Sequence, residues 1–485
     1  MNSEIICKIL KEKKNPTLFF CGIGGIGMSG LSLLAISCGY DVIGSNEDEN
    51  KNTDFLQSQG VKVFIGHKAE HIENIDIFVH SPAIDLEQNC ESLEAKKQNI
   101  PIIKRGNFLS ILMKHFFNIV IAGSHGKTTT TAIIGHTLDK IGLKPNILVG
   151  GVLNSFHTNC HIENSKYFVV ESDESEGSFE GMPADIGVIT NIDPEHMEFY
   201  KTIEKLEEYF YSFARKSFEK SGVVVCIDDK IGADLVEKIR KNYSKDEQNE
   251  KLITYSFSSK TADLYAENLR LKAEGIEFDV VNTRTNTKIE NVFLANMFGE
   301  VNVSNALTSI GVALLMKQNA EKVAKTLESF TGIQKRFTII GKIKNNLVVD
   351  DYAHNPQKIA GAVGSSRHYA KCHNMDNNLI IVFEPHRYTR VRDGMKMFAE
   401  SLKIANKLVV LPIYSSSEKP IEGIDDDYVY NELKKVNPNV YKCEADAYKI
   451  RELLEKITTD EHGLIVFMGA GKSSKLAHKL VEDIK

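Results

Sequence analysis

No stretch of the 485-residue chain stays apolar for the roughly 18–20 residues a bilayer-spanning helix needs, which argues against a helical membrane protein. Nor is there a basic excess: 59 Lys and Arg against 65 Asp and Glu leave a formal charge of −6. That balance argues against a nucleic-acid partner held by bulk electrostatics, while leaving room for a local basic pocket around a small anion. Met1 to Asn15 is charged and lacks the apolar core and cleavage site of a secretory signal, so none is expected. The eight cysteines (Cys7, Cys21, Cys38, Cys90, Cys160, Cys226, Cys372, Cys443) form no C-x-x-C pair, and several sit inside apolar strand-like runs. They read as reduced thiols of a cytoplasmic protein rather than as a disulfide framework or a zinc site. No short-period repeat and no low-complexity tract is present.

What is present is 42% hydrophobic and 26% charged residues, the composition of a globular protein with a substantial core, in a chain long enough for two to four domains. Short apolar strands alternate with helical patterns, which predicts α/β architecture with parallel sheets covered on both faces. The pattern starts at Leu18–Cys21 and restarts at Asn118–Ala122 and again after about Gly332. Between Leu252 and Leu294 it becomes β-rich around the turn-like Asn282–Asn286, predicting an antiparallel appendage. The expected domains are 1–115, 116–331 and 332–485.

Gly123-Ser124-His125-Gly126-Lys127-Thr128-Thr129-Thr130 follows an apolar strand and enters a helical pattern, the context a phosphate-binding loop requires. Glycines admit backbone N–H groups to phosphate, and the helix N-terminus adds a favourable dipole. Lys127 would reach the β/γ-phosphates and the Thr128 hydroxyl a Mg²⁺ ion. The competing reading is a glycine helix entry with a solvated lysine. Carboxylates for a magnesium nucleotide follow the next strands, in Glu171-Ser172-Asp173-Glu174-Ser175-Glu176 and Asn191-Ile192-Asp193-Pro194-Glu195-His196. In an open parallel sheet such strand ends converge on the ligand crevice. Elsewhere the same acids would be a solvated run.

Gly22-Ile23-Gly24-Gly25-Ile26-Gly27 fits G-x-G-x-x-G after a strand, with Glu47 where a dinucleotide-binding acid falls. That supports an NAD-dependent oxidoreductase, yet the same loop serves any diphosphate at a helix N-terminus. Phe383-Glu384-Pro385-His386-Arg387-Tyr388-Thr389-Arg390 places guanidinium forks suited to carboxylate or phosphate just past a strand. Asp350-Asp351-Tyr352-Ala353-His354-Asn355-Pro356 follows the strand before it. An exposed helix start and an Asp/Asn/Pro turn are the plainer readings of these two segments. Gly469-Ala470-Gly471-Lys472-Ser473 lacks an upstream glycine and reads as a strand-to-helix turn.

These segments, in this order and over nearly the whole chain, resemble the Mur ligases of peptidoglycan synthesis. Particularly close are Gly22 to Gly30, Glu171 to Phe179, Thr190 to His196, Asp350 to Pro356, Phe383 to Arg390 and Tyr414 to Gly423. The resemblance implies three domains: an N-terminal Rossmann-like domain, a central P-loop ATPase-like parallel sheet with the antiparallel appendage, and a C-terminal Rossmann-like domain. It implies ATP-dependent ligation of L-alanine to the lactyl carboxylate of UDP-N-acetylmuramate through an acyl phosphate, with Mg²⁺ as cofactor and Mn²⁺ able to replace it. The first glycine loop then serves a UDP-sugar rather than NAD.

By the same resemblance, the UDP-sugar contacts are Gly22, Gly24, Gly25, Gly27, Met28, Ser29, Ser45, His67, Ser81, Arg105, His386, Arg387 and Arg390. ATP is held by Gly123 to Thr129 with Asn305, Arg336 and Asp351, and the metal by Thr128, Glu171 and His196. Tyr352 and His354 face the amino acid, and the catalytic set is Lys127, Glu171, His196, His354 and Arg387. Departures from the family pattern are Val301 and Asn355, each where a histidine is usual, Asn46 for an aspartate, and Lys472-Ser473. Rival readings are a related ligase adding a tripeptide or another amino acid to the same sugar nucleotide, the oxidoreductase, and a non-catalytic nucleotide switch.

Overall fold

The computed structural model describes residues 2–175, 177–458 and 461–482, and they fall into two compact units. The first comprises residues 1–152, 156–254 and 311–323; the second comprises 153–155, 255–310 and 324–485.

The first unit opens with β1 (Thr17–Cys21), β2 (Asp41–Asn46), β3 (Lys62–Ile65), β4 (Ile77–His80) and β5 (Ile102–Lys104), all parallel in the order β3-β2-β1-β4-β5. The strand order reverses between β1 and β4, so the loops after these strands border the crevice where such sheets bind ligands. Helix α1 (Ile26–Ser37) leaves the first glycine loop, and α2 (Cys90–Lys97) begins at the Asn89 cap.

A second sheet follows, with β6 (Phe117–Ala122), β7 (Asn146–Leu153), β8 (Thr158–His161), β9 (Tyr167–Glu171), β10 (Ile186–Ile189), β11 (Gly222–Cys226) and β12 (Leu252–Ser256), ordered β12-β11-β10-β6-β9-β7-β8. β6 pairs in parallel with β9 and β10 at its centre, and its residues from Ile119 to Ala122 are fully buried. Helix α3 (Lys127–Lys140) packs behind it, with Ala132, Ile133, Ile134 and Leu138 in the core. The glycine loop is thus strung between two rigid elements.

In the second unit β13 (Leu264–Lys272), β14 (Gly275–Asn282) and β15 (Thr287–Ala295) form the expected antiparallel appendage, turning at residues 283–286. β12, which the β-rich segment had included, instead pairs with β13 in parallel. The last sheet runs β16-β17-β21-β18-β19-β20, from β16 (Thr338–Ile343), β17 (Asn346–Asp351), β18 (Leu379–Phe383), β19 (Lys407–Val410), β20 (Val440–Lys442) and β21 (Gly463–Met468). Only the edge strand β16 is antiparallel to its neighbour. Helix α4 (Tyr388–Leu402) follows β18, and α5 (Ser473–Glu482) follows β21. Over the described residues the chain is therefore an α/β protein with three sheets. Among the described residues no helix is long and apolar enough to cross a membrane.

Candidate active site

The loop between β6 and α3 has two positions that only glycine fills without strain. Gly126 caps α3 at φ +80°, and Gly123 at φ +139° lies so close to the Thr190 hydroxyl that a Cβ would collide with it. The segment after β10 braces the loop from outside. Asn191 accepts from the Ser124 N–H through its carbonyl (3.0 Å) and from the His125 N–H through its side chain (2.8 Å). The Thr190 hydroxyl and the Asn191 amide both donate to the His125 carbonyl. The Ser124 hydroxyl bonds Asp193 at both backbone atoms. Held in place by these bonds, the loop presents the N-terminus of α3 as a preorganised anion site. Thr129 is buried on the first turn of α3.

Lys127 folds back over the loop, donating to the Gly123 carbonyl at 2.7 Å and pairing with Glu174 at 2.7 Å. The Thr128 hydroxyl donates to Glu171 at 2.8 Å, whose other oxygen accepts the Gly150 N–H at 2.5 Å. His196, at φ +56°, does not share that pair; its Nε2 lies 3.6 Å from Glu174. Donor atoms of Glu174, Glu195 and His196 lie within 4.8 Å of one another. Burial opposes ionisation of Glu174, but His196 and Lys127 outweigh it and hold the carboxyl at about 2. The neighbouring Glu174 carboxylate in turn raises the pKa of His196 against the effect of burial. His125 Nε2 lies 3.0 Å from Asp193. Two carboxylates, an imidazole and the nearby Thr128–Glu171 pair form an oxygen-rich donor set that fits Mg²⁺ or Mn²⁺. Glu176 lies outside the described residues.

Gly22, at φ +82°, and Ile23 both donate to the Ser45 carbonyl, which curls the first glycine loop over the end of β2. Asn46, the departure from aspartate, accepts the Gly24 N–H at 3.0 Å. Gly25 caps α1, Gly27 lies against the Arg105 guanidinium, and Met28 and Ser29 face inward. Arg105 lies 3.6 Å from Asp173. Ser81 follows β4 beside Gly22. His67 and Ser45 converge on Glu91, which is fully buried. The N-terminal candidates thus gather at the carboxyl ends of β1 to β5, Arg105 following the last of these.

In the second unit, buried Asp351 accepts from the Phe337 and Ala353 N–H groups. Burial raises its pKa, and the charge of Arg336 opposes that rise. The Arg336 guanidinium lies 6.0 Å from the Tyr352 ring centroid. His354 bonds the Tyr352 carbonyl, its ring is 5.5 Å from that of His386, and His386 stacks on Tyr414. Arg390 contacts His386 Nδ1 at 2.9 Å. Burial and the adjacent Arg390 and Arg387 bring His386 down to about 4, so both Arg387 and Arg390 stand beside a neutral imidazole. His354 is likewise lowered to about 2, chiefly by burial. Arg387 takes φ +70° at the start of α4, with its guanidinium 3.8 Å from Glu418. Asn355 caps the helix Pro356–Cys372 by accepting the Lys358 N–H. Asn305 is buried on the helix Val301–Leu315 and donates to Asn302, while Val301 is exposed.

The Gly469–Ser473 turn is closed by protein. Glu384, 1% exposed, accepts the N–H groups of Gly471, Lys472 and Ser473 at 2.9, 2.8 and 3.2 Å, filling the place an anion would take. Sequence reasoning placed Glu174 and Glu195 among the candidate magnesium carboxylates but left them out of the ligand set, and it gave Asn191, Glu384 and Glu91 no role. For Glu174 a signal existed: it lies in the acidic run, three residues beyond Glu171 in the loop after β9. For Glu91 and Glu384 none did, because their partners are distant in the chain.

Three family models match in succession: the Mur ligase family catalytic domain over residues 17–117, the Mur ligase middle domain over 121–313, and the Mur ligase glutamate ligase domain over 335–471. The UDP-N-acetylmuramate–L-alanine ligase of Aquifex aeolicus is 37% identical over 467 residues, covering 96% of this chain and 97% of that one. The enzyme of the same name from Dictyoglomus turgidum is 36% identical over 470 residues, covering 96% of both chains. The crystal structure of the UDP-N-acetylmuramate-alanine ligase MurC from Thermotoga maritima superimposes with a TM-score of 0.78 at 27% identity, covering 96% of this chain and 99% of that one. With matches of this identity along nearly its whole length, the chain belongs to the Mur ligase family.

Proposed function

We propose that the protein joins L-alanine to the lactyl carboxylate of UDP-N-acetylmuramate with consumption of ATP, a step of peptidoglycan synthesis in the cytoplasm. The observation that carries the chemistry is the braced Gly123–Thr129 loop at the start of α3, with Lys127 and the Glu174–His196 pair beside it. The substrates are those named for relatives at 36–37% identity. The proposed division is 1–115 for the UDP-sugar, 116–331 for ATP and 332–485 for closure and the amino acid.

A free carboxylate resists amide formation because oxide is a poor leaving group. Attack of the lactyl carboxylate on the γ-phosphorus breaks the γ-phosphoryl bond to ADP and gives an acyl phosphate. The alanine amine then adds to the acyl carbon, and the tetrahedral adduct collapses to amide and inorganic phosphate. The Gly123–Thr129 loop binds the phosphates through the amides at the N-terminus of α3, the Ser124 and His125 N–H groups being held by Asn191, and Lys127 exchanges Glu174 for the γ-phosphate as negative charge shifts there. Thr128, Glu171, Glu174 and His196 would hold Mg²⁺, which neutralises phosphate charge when bound. Asn305, Arg336 and Asp351 serve the nucleotide. Gly22 to Ser29, Ser45, His67, Ser81 and Arg105 hold the UDP-sugar with His386, Arg387 and Arg390, and Tyr352 and His354 position alanine. No covalent enzyme nucleophile is required.

Release of ADP and phosphate is measured with UDP-N-acetylmuramate and a panel of alanine, glycine, serine and a tripeptide. Turnover with alanine well above the others supports the assignment. Preference for the tripeptide, or no release with any member, overturns it.

A further inference from the structure

The end of β1, the turn after β3 and the first turn of α2 bring a thiol, an imidazole and a carboxylate to one point in the N-terminal region. Cys21 and Glu91 are both fully buried, while the His67 side chain is 20% exposed. Cys21 Sγ lies 3.3 Å from Glu91 Oε2 and 3.9 Å from His67 Nδ1, and His67 Nδ1 lies 2.8 Å from the same Glu91 oxygen. The carboxylate is fixed independently: the Ser45 hydroxyl donates to Oε2 at 2.6 Å, and His71 Nδ1 and the Lys68 N–H reach Oε1 at 2.7 and 3.4 Å. His71 is itself stacked on Phe64, with ring centroids 4.0 Å apart.

We propose that Cys21, His67 and Glu91 form a binding site for a thiophilic divalent cation of the zinc class. Tetrahedral zinc with bonds of about 2.0–2.3 Å sets its donors roughly 3.2–3.8 Å apart. The Cys21–Glu91 and Cys21–His67 separations already fall at or next to that range. Only the 2.8 Å His67–Glu91 separation must open, by roughly half an ångström, when the cation takes the place of the hydrogen between them. The donor set selects the ion. Sulfur and imidazole suit Zn²⁺ or Co²⁺, whereas Mg²⁺ requires a shell of oxygens. Binding forms an S–M bond and releases the Cys21 thiol proton to solvent, and His67 offers the Nδ1 lone pair with its ring proton on Nε2. The Ser45 and His71 contacts hold Glu91 in the ligating orientation beforehand. Occupancy also ties the ends of β1 and β3 to α2 and adds its binding free energy to the stability of that region.

The site is distinct from the phosphate-loop donors, none of which is sulfur, and that distinction supplies the test. The full-length protein is titrated with Co²⁺ in excess Mg²⁺, and the near-ultraviolet sulfur-to-cobalt charge-transfer band is followed. The expected result is a band that saturates at one equivalent, is displaced by Zn²⁺, is lost in Cys21→Ser, and needs at least tenfold more Co²⁺ in His67→Gln. Circular dichroism establishes that the variants are folded. Absence of the band in the unaltered protein, or its persistence in folded Cys21→Ser, overturns the proposal. Ligase turnover does not enter the readout, so failure of the proposed function leaves this result interpretable.

Discussion

Replacing Glu174 by glutamine removes one charge from the centre of the phosphate-loop site while keeping its shape. The carboxylate lies 2.7 Å from the Lys127 ammonium and 3.6 Å from His196, and its side chain is only 10% exposed. Burial pushes its pKa up, but His196 and Lys127 prevail and set it at about 2, against 4.5 for the free group. A depression of that size corresponds to about 3 kcal/mol of native-state stabilisation at neutral pH. Glutamine retains an acceptor, and Lys127 retains the Gly123 and Ser124 carbonyls, so the expected loss is nearer about 2 kcal/mol. Because the folded pKa lies below the unfolded one, this contribution is complete above pH 4.5 and disappears as pH falls towards 2. Hydrogen exchange of the α3 amides reads the local opening free energy directly. Protection in Glu174→Gln should be roughly 30-fold lower than in the unaltered protein at pH 7, with the gap closing below pH 4.5. Equal protection at pH 7, or a gap unchanged down to pH 3, would refute the reasoning.

Lys127→Ala is expected to abolish ligation while its circular dichroism matches the parent; turnover by a folded variant would remove Lys127 from the mechanism. Alanine at Arg387 or Arg390 should raise the KM for UDP-N-acetylmuramate by roughly 10- to 100-fold with the KM for ATP little changed, the size of a lost charge-assisted hydrogen bond; equal effects on both would contradict the assignment. His386 is held at about 4 by burial and its arginine neighbours, so its neutral form favours the native state. That contribution is intact above pH 6.5 and fades as pH falls to 4; chemical unfolding at pH 5 should show the parent losing about 1–2 kcal/mol relative to His386→Gln, and parallel pH curves would exclude it. Glu384→Ala removes the acceptor of three N–H donors, that of Ser473 buried and those of Gly471 and Lys472 part-buried, and should cost roughly 2 kcal/mol, partly restored by sulfate in a thermal shift assay; an unaffected midpoint would mean the turn does not rely on that carboxylate.

The three sheets were legible because long apolar strands such as Phe117–Ala122 and Leu379–Phe383 stand out from helical periods. Three-residue strands such as Ile102–Lys104 and Val440–Lys442 carry too little apolar pattern to register. The phosphate loop was legible for a local reason: strand, glycines, lysine and helix are consecutive. Pairing was not. Thr128 chooses Glu171 while Lys127 and His196 choose Glu174, a division decided by strand-end geometry rather than by spacing. The same limit hid the Glu91 cluster, whose members come from positions 21, 45, 67, 71 and 91. It also left the Gly469–Ser473 turn without its partner, since the carboxylate that fills it lies just past another strand, β18.

The proposed reaction turns on transfer of the γ-phosphoryl group to a substrate carboxylate at the Gly123–Thr129 loop. Incubation of the protein with ATP, L-alanine and UDP-N-acetylmuramate labelled with ¹⁸O in its carboxylate tests this directly by mass spectrometry of the products. One labelled oxygen should appear in the released phosphate for every amide formed, with none in Lys127→Ala. Amide formed with unlabelled phosphate, or labelled phosphate produced equally by the Lys127 variant, would contradict it.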